Sequence, residues 1–139
     1  MKFEESISYL LAKISVSHQN LVETAAMGAG LHRGQAFVLF ELWKKDGQRQ
    51  IDLATNLGLS PPTVNKTLGG LLENDFATRG KYENDERSTR IFLTQKGRDV
   101  REDLIGQWEL LEERITGGLT DTEALMLQQL LAKLLVEII

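Results

Sequence analysis

The stretch Ser60-Pro61-Pro62-Thr63-Val64-Asn65-Lys66 gathers two hydroxyls, an amide and an ammonium group, with no acid among them. Side chains of this kind donate hydrogen bonds to anionic oxygens and to the edges of planar bases. A second set of cations, Arg79, Lys81, Arg87 and Arg90, flanks or falls within the polar run Glu83-Asn84-Asp85-Glu86-Arg87-Ser88. Arginines carried on such a tip suit a narrow groove of negative potential. The alternative for both sets is an ordinary solvated surface. Covalent or metal chemistry finds little support. The chain has no Cys and two His, His18 and His32, and it contains no HExxH, P-loop or GxSxG motif. Paired acids such as Glu112-Glu113 read as a solvated helix face. No enzymatic activity, metal or cofactor is expected.

The donors need an element to display them. Over residues 57–72 leucines and a valine recur at helical spacing, Ser60 is a suitable cap, and Pro61 takes the first helical position, where a missing N–H costs nothing. With Val64 at 0° and a step of 100° per residue, Leu68, Leu71 and Leu72 fall within about 80° of it and form the buried stripe. The opposite side carries Pro62, Thr63, Lys66, Gly69 and Gly70, with Asn65 on the flank. Two glycines inside a helix cost about 2 kcal/mol relative to two alanines. The expectation is that they let the backbone approach a ligand surface closely; the alternative is that they merely bare a face that touches nothing.

A short helix over 51–57, closed by Gly58, precedes this one, so Gly58-Leu59-Ser60 is the turn of a helix-turn-helix. Runs rich in β-branched and aromatic residues follow at 76–82 and 89–93, a hairpin with a tip at 83–88 longer than two residues. Upstream, helices are expected over 3–27 and 33–45, ended by Gly28-Ala29-Gly30 and Asp46-Gly47. Downstream, Thr94 caps a helix that extends towards 116. Gly117-Gly118 breaks it, and Thr120 or Asp121 caps a last helix that runs to residue 139. The fold class is therefore mainly α (α+β), and helix-turn-helix followed by hairpin is the winged-helix order.

At 139 residues, 42% hydrophobic and 26% charged, the chain has the size and composition of one folded domain. Residues 124–139 are the most apolar, but the segment is short and holds Gln128, Gln129, Lys133 and Glu137, so no membrane span is expected. Absence of Cys and of a signal-peptide pattern fits the cytoplasm. The net charge of −4 is uneven: residues 1–59 are neutral, 60–101 carry +2 and 102–139 carry −6. The donors thus sit in the one basic part of an acidic chain. The last helix is apolar on more than one stripe and needs more cover than a small domain gives. That points to a second copy; the alternative is a monomer that folds the helix into its own core.

Three blocks carry a family resemblance. Asp85-x-Arg87, then five residues, then Leu93-Thr94-x-x-Gly97 resembles the wing-to-helix signature of the MarR family of transcriptional regulators. Leu53-Ala54, Leu57-Gly58-Leu59-Ser60 and Thr63-Val64 are similar to its helix-turn-helix, and Leu31-x-x-x-Gln35 with Val38-Leu39 to its second helix. Where that family often caps the third helix with Ser or Thr, this chain has Arg49 and Gln50. The resemblance implies a homodimer joined through interlocked N- and C-terminal helices, binding pseudo-palindromic double-stranded DNA. By matched position it places Ser60, Pro62, Thr63, Asn65 and Lys66 on a recognition helix in the major groove. It gives Arg87 the minor-groove role at the wing tip, with Arg90 on the same wing, and Asp85 the task of orienting an arginine. It also implies a crevice for a small-molecule effector between reader and dimer helices, for which His18, His32, Trp43 and Trp108 are the candidates.

The expectation is one MarR-like domain over 1–139, with a reader at 31–97 and dimerisation helices at 1–27 and 98–139. It would act as a repressor; the alternative is a winged-helix dimer that serves as a protein-interaction module with little DNA affinity.

Overall fold

A computed structural model describes every residue except Glu83, and of Asp85, Glu86 and Arg87 the backbone alone. Its elements are α1 (Ile7–Gly28), α2 (Arg33–Lys44), β1 (Gln48–Arg49), α3 (Gln50–Leu57), α4 (Pro61–Glu73), β2 (Ala77–Tyr82), β3 (Asp85–Leu93), α5 (Gln95–Thr116) and α6 (Asp121–Ile138). A short 3-10 turn, Phe3–Glu5, precedes α1. Among the described residues no helix is long and apolar enough to cross a membrane.

Local chemistry starts most of the helices. Ser6, Ser60, Thr94 and Thr120 each accept a hydrogen bond from the backbone N–H three residues on, which satisfies a donor the helix itself cannot pair. Of the two candidate caps for α6, Thr120 holds the position, and Glu123 returns to the Thr120 N–H at 2.9 Å. Gly58 closes α3 in the left-handed conformation (φ 65°), while the Leu59 N–H reaches back to the Ala54 carbonyl at 3.0 Å. A β-carbon is disfavoured there, so glycine belongs at this turn.

Two features of the sheet differ from the sequence expectation. Its strand order is β1-β3-β2, all antiparallel, and β1 is a third strand that periodicity does not reveal. Two residues cannot show a period, and Gln48 is buried because its amide donates to the Glu41 and Lys45 carbonyls, both at 2.8 Å. The second difference is the length of the wing. Tyr82 pairs with Asp85, so much of the polar run 83–88 is strand and not loop. Polar composition signals a loop where a strand would bury those positions; an arm extended beyond the core buries little, and backbone pairing then sets its length.

The core is continuous from α1 to α5. Leu31, Leu39, Leu42, Leu53, Val64, Leu68, Leu71, Ile91 and Leu104 are fully buried. A smaller cluster of Val22, Ala25 and Leu111 ties α1 to α5. No residue of α6 is buried; Leu125, Leu130, Leu135 and Ile138 are all more than half exposed.

The passage from wing to α5 is tight. The Thr94 N–H donates to the Phe76 carbonyl at 3.2 Å, and the Trp43 indole N–H donates to the Gly97 carbonyl at 2.9 Å. A β-carbon on Gly97 would stand 2.0 Å from the Phe76 oxygen, a backbone atom fixed in place. Gly97→Ala is therefore expected to destabilise the fold by about 3 kcal/mol, read as a lower midpoint in urea unfolding with an unchanged slope.

Candidate nucleic-acid interface

Three stripes divide the surface of α4. Val64, Leu68 and Leu71 enter the core. Thr67 and Gly70 face α2: a β-carbon on Gly34 of α2 would lie 3.3 Å from the Thr67 hydroxyl, and one on Gly70 would lie 2.6 Å from the Gln35 amide nitrogen. Pro62, Asn65, Lys66 and Gly69 lie on the remaining side and are exposed. This corrects the sequence reading of the glycine pair. Only Gly69 is open, with nothing within 4 Å of where its β-carbon would be. Gly70 is half-buried and makes room for a neighbour within the protein. That neighbour is held in place, because Gln35 is buried and its carbonyl oxygen accepts from the His32 N–H at 2.9 Å.

Ser60 and Thr63 are exposed at the start of α4, but their hydroxyls are 2.8 Å apart, and Ser60 also accepts from the Thr63 N–H. Ser60 is thus a cap before it is a contact. Lys66 makes no ion pair among the described residues. The outer stripe and the helix N-terminus together present donors and partial positive charge, and the stripe's acid, Glu73, stands at the C-terminal end of the helix.

At the wing, Arg79 lies near α3, its guanidinium donating to the Gln50 carbonyl oxygen at 3.3 Å. Arg90 is placed differently from the sequence expectation. Its guanidinium donates to the Gly47 carbonyl at 3.1 Å and stacks over the Tyr82 ring, 4.9 Å from the centroid. It braces the base of the wing. The side chains of Arg87 and Asp85, the expected groove contact and its orienting acid, lie outside the described residues; their backbone belongs to β3.

The four effector candidates separate into two pairs. Trp43 and Trp108 pack with Phe40, ring centroids 5.9 and 5.1 Å from it, around an apolar cavity of about 240 Å³ between α2 and α5. Trp43 also holds Gly97, as above, so its first role is in the core. His18 and His32 instead line a wide groove of about 890 Å³, walled by Ser15 and Val22 of α1, by Arg33 and Phe37 of α2, and by Thr63, Lys66 and Thr67 of α4. One groove therefore touches both a terminal helix and the outer donors.

Sequence reasoning missed Glu23, which clasps α1 to the start of α2. Its carboxylate accepts from the His32 Nδ1–H at 3.0 Å and the Arg33 backbone N–H at 2.8 Å. These hydrogen bonds, the His32 one first, hold the Glu23 carboxyl below its usual range. The clue in the sequence was slight: an acid nine residues before a histidine, with a glycine break between.

A family model described as the MarR family matches residues 31–89. Solved structures of similar fold include a MarR transcriptional regulator from Methanosarcina mazei Go1, at 22% identity and TM-score 0.84, covering 94% of both chains. A MarR-family regulator from Rhodococcus sp. RHA1 has 22% identity and TM-score 0.85, covering 96% of this chain and 95% of that one. A MarR-family protein from Mycobacterium tuberculosis, solved in complex with DNA, has 21% identity and TM-score 0.79, covering 93% and 97%; the same protein has also been solved with salicylic acid.

The packing separates the two glycines by experiment. Gly69→Ala is expected to raise stability by about 1 kcal/mol, whereas Gly70→Ala should lower it, because the new methyl must displace the pinned Gln35 amide; thermal unfolding of both reads the sign. For Glu23, a lowered folded pKa means its contribution is complete above the unfolded value of 4.5 and is lost as pH falls through the lower folded value. Glu23→Gln should therefore melt below wild type at pH 7, and the gap should close as pH falls below 4.5 and through the lowered folded value.

Proposed function

We propose that this chain, in which a model of the MarR family matches residues 31–89, is a member of that family and a sequence-specific DNA-binding regulator of transcription. In this reading it represses by occupying operator DNA as a homodimer in the cytoplasm. The observation that carries it is the outer stripe of α4, Pro62, Asn65, Lys66 and Gly69, exposed beside the helix N-terminus, with the stripe's acid, Glu73, at the far end of the helix. In a winged helix this face enters the major groove, with the N-terminal turn against a phosphate. The Mycobacterium tuberculosis relative solved with DNA has the same fold.

Surface area supports the dimer. The chain exposes 9972 Å², whereas a compact monomer of 15.6 kDa exposes about 7,200 Å². The excess of about 2,700 Å² per chain is of the size that permanent homodimers bury. It concentrates on α6 and on the start of α1, where Phe3, Ile7 and Ile14 are more than 60% exposed. Residues 31–97 then form the reader, and 1–27 with 98–139 the dimer helices. The acidic third of the chain falls in α5 and α6, outside the reader.

The groove at His18 and His32 is the effector site in this reading. Its lining includes Arg33 and Lys66, which favours a small anionic ligand of the kind that salicylic acid represents in the relative. A ligand there would compete with DNA for Lys66.

A gel shift on DNA upstream of the chain's own gene is expected to give a discrete complex at near-physiological salt, weakening steeply as salt rises. Lys66→Ala and Arg87→Ala should each weaken that complex about tenfold while light scattering still reports twice 15.6 kDa. No specific complex, an affinity indifferent to salt, or a scattering mass of one chain would refute the reading.

A further inference from the structure

Gln50 joins the wing to the recognition helix. Arg79 of β2 donates to the Gln50 carbonyl oxygen at 3.3 Å, and the Gln50 amide nitrogen donates to the Asn65 carbonyl oxygen of α4 at 3.2 Å. The direction of this chain follows from its first member. A guanidinium has donors only, so the Gln50 oxygen must turn towards Arg79. The Gln50 NH₂ group then faces Asn65, and Asn65 must answer with its oxygen. Its own NH₂ group is left without a partner among the described residues, on an exposed stretch of α4.

We propose that Gln50 is a positioning residue that fixes the amide of Asn65, so that α4 offers the DNA a hydrogen-bond donor at this position. The inference rests on the DNA-binding reading above and names what that site reads. In the major groove guanine and thymine present acceptors, guanine through O6 and N7 and thymine through O4, whereas cytosine presents only its N4 donors. Asn65 held in this sense selects guanine or thymine against cytosine. Adenine, with both N7 and N6–H₂, is neutral to the choice.

Selection from a randomised operator half-site, followed by sequencing, tests this. The position read by Asn65 is the one whose preference collapses in Asn65→Ala. There, wild type should favour guanine or thymine over cytosine by about tenfold. Gln50→Glu can only accept, so it takes a donor from Arg79 and another from Asn65. That reverses the Asn65 amide, turns its oxygen outward, and should invert the preference towards cytosine. Gln50→Met, similar in length with no hydrogen bonds, should flatten it. A merely structural Gln50 would lower affinity for every sequence alike and leave the preference intact. Melting curves of the variants show that they are folded; Gln50 is half-buried and Asn65 exposed. A preference unchanged in both Gln50 variants, or no position that depends on Asn65, would overturn the inference alone. No enriched sequence for wild type would overturn the DNA reading, and the inference with it.

Discussion

The position of α4 is the constraint on which the candidate interface depends. One side of that helix is committed to the core through Val64, Leu68 and Leu71, and a second is committed to α2, where Gly34 meets Thr67 and Gly70 meets Gln35. A helix fixed on two sides can neither roll nor slide without opening a void or forcing a collision. What remains is an exposed strip, Pro62, Asn65, Lys66, Gly69 and Glu73, whose direction is set by packing behind it. The crossing is close because two small residues let the backbones approach, and that closeness is what costs Gly70 its helix propensity.

Gln35 extends this constraint into the next layer. Its oxygen holds the His32 N–H, its nitrogen lies over Gly70, and His32 is in turn held by Glu23 of α1. From α1 to α4 there is thus an unbroken series of contacts: Glu23, His32, Gln35, Gly70. The wide groove at His18 runs beside it and shares His32, Gln35 and Gly70 with it. A ligand that fills this groove acts on the reader only to the extent that it favours one placement of α4 over another. The physical route is short, because the groove's walls and the recognition helix are partly the same residues.

What the sequence reveals and what it hides divide along a simple line. Features determined within four or five residues are legible: Ser60, Thr94 and Thr120 as caps, Gly58 as a left-handed stop, Pro61 as a start, the leucine stripe of α4 as buried. Features decided by a distant partner are not. Gly70 has the same immediate neighbourhood as Gly69 and differs only because α2 passes behind it. Gln50 stands where a cap is expected and makes contacts 15 and 29 residues away instead. Arg90 has the composition of a groove contact, and its guanidinium is engaged by Gly47, 43 residues away, and by Tyr82 across the hairpin. Trp43 looks like a ligand platform until its indole is found on Gly97. The effector candidates were chosen singly by type, whereas the structure sorts them by which two helices meet, Trp43 and Trp108 to one cavity and His18 and His32 to another.

The reader and the terminal helices obey different rules of stability, and this bears on how the two halves act together. Residues 31–97 are closed by one buried cluster, to which Ala26 of α1 and Val100 and Leu104 of α5 also contribute. The terminal helices do not close, since α6 buries nothing and the start of α1 exposes Phe3, Ile7 and Ile14. An apolar surface of that extent in water costs on the order of 25 cal/mol for each Å², so a second half that covered α1 and α6 would stabilise the chain. Where that half is another copy, covering α1 and α6 also fixes the wall of the groove that Ser15, His18 and Val22 provide. The spacing between two readers and the shape of two grooves are then set by the same surface, and neither can change without the other.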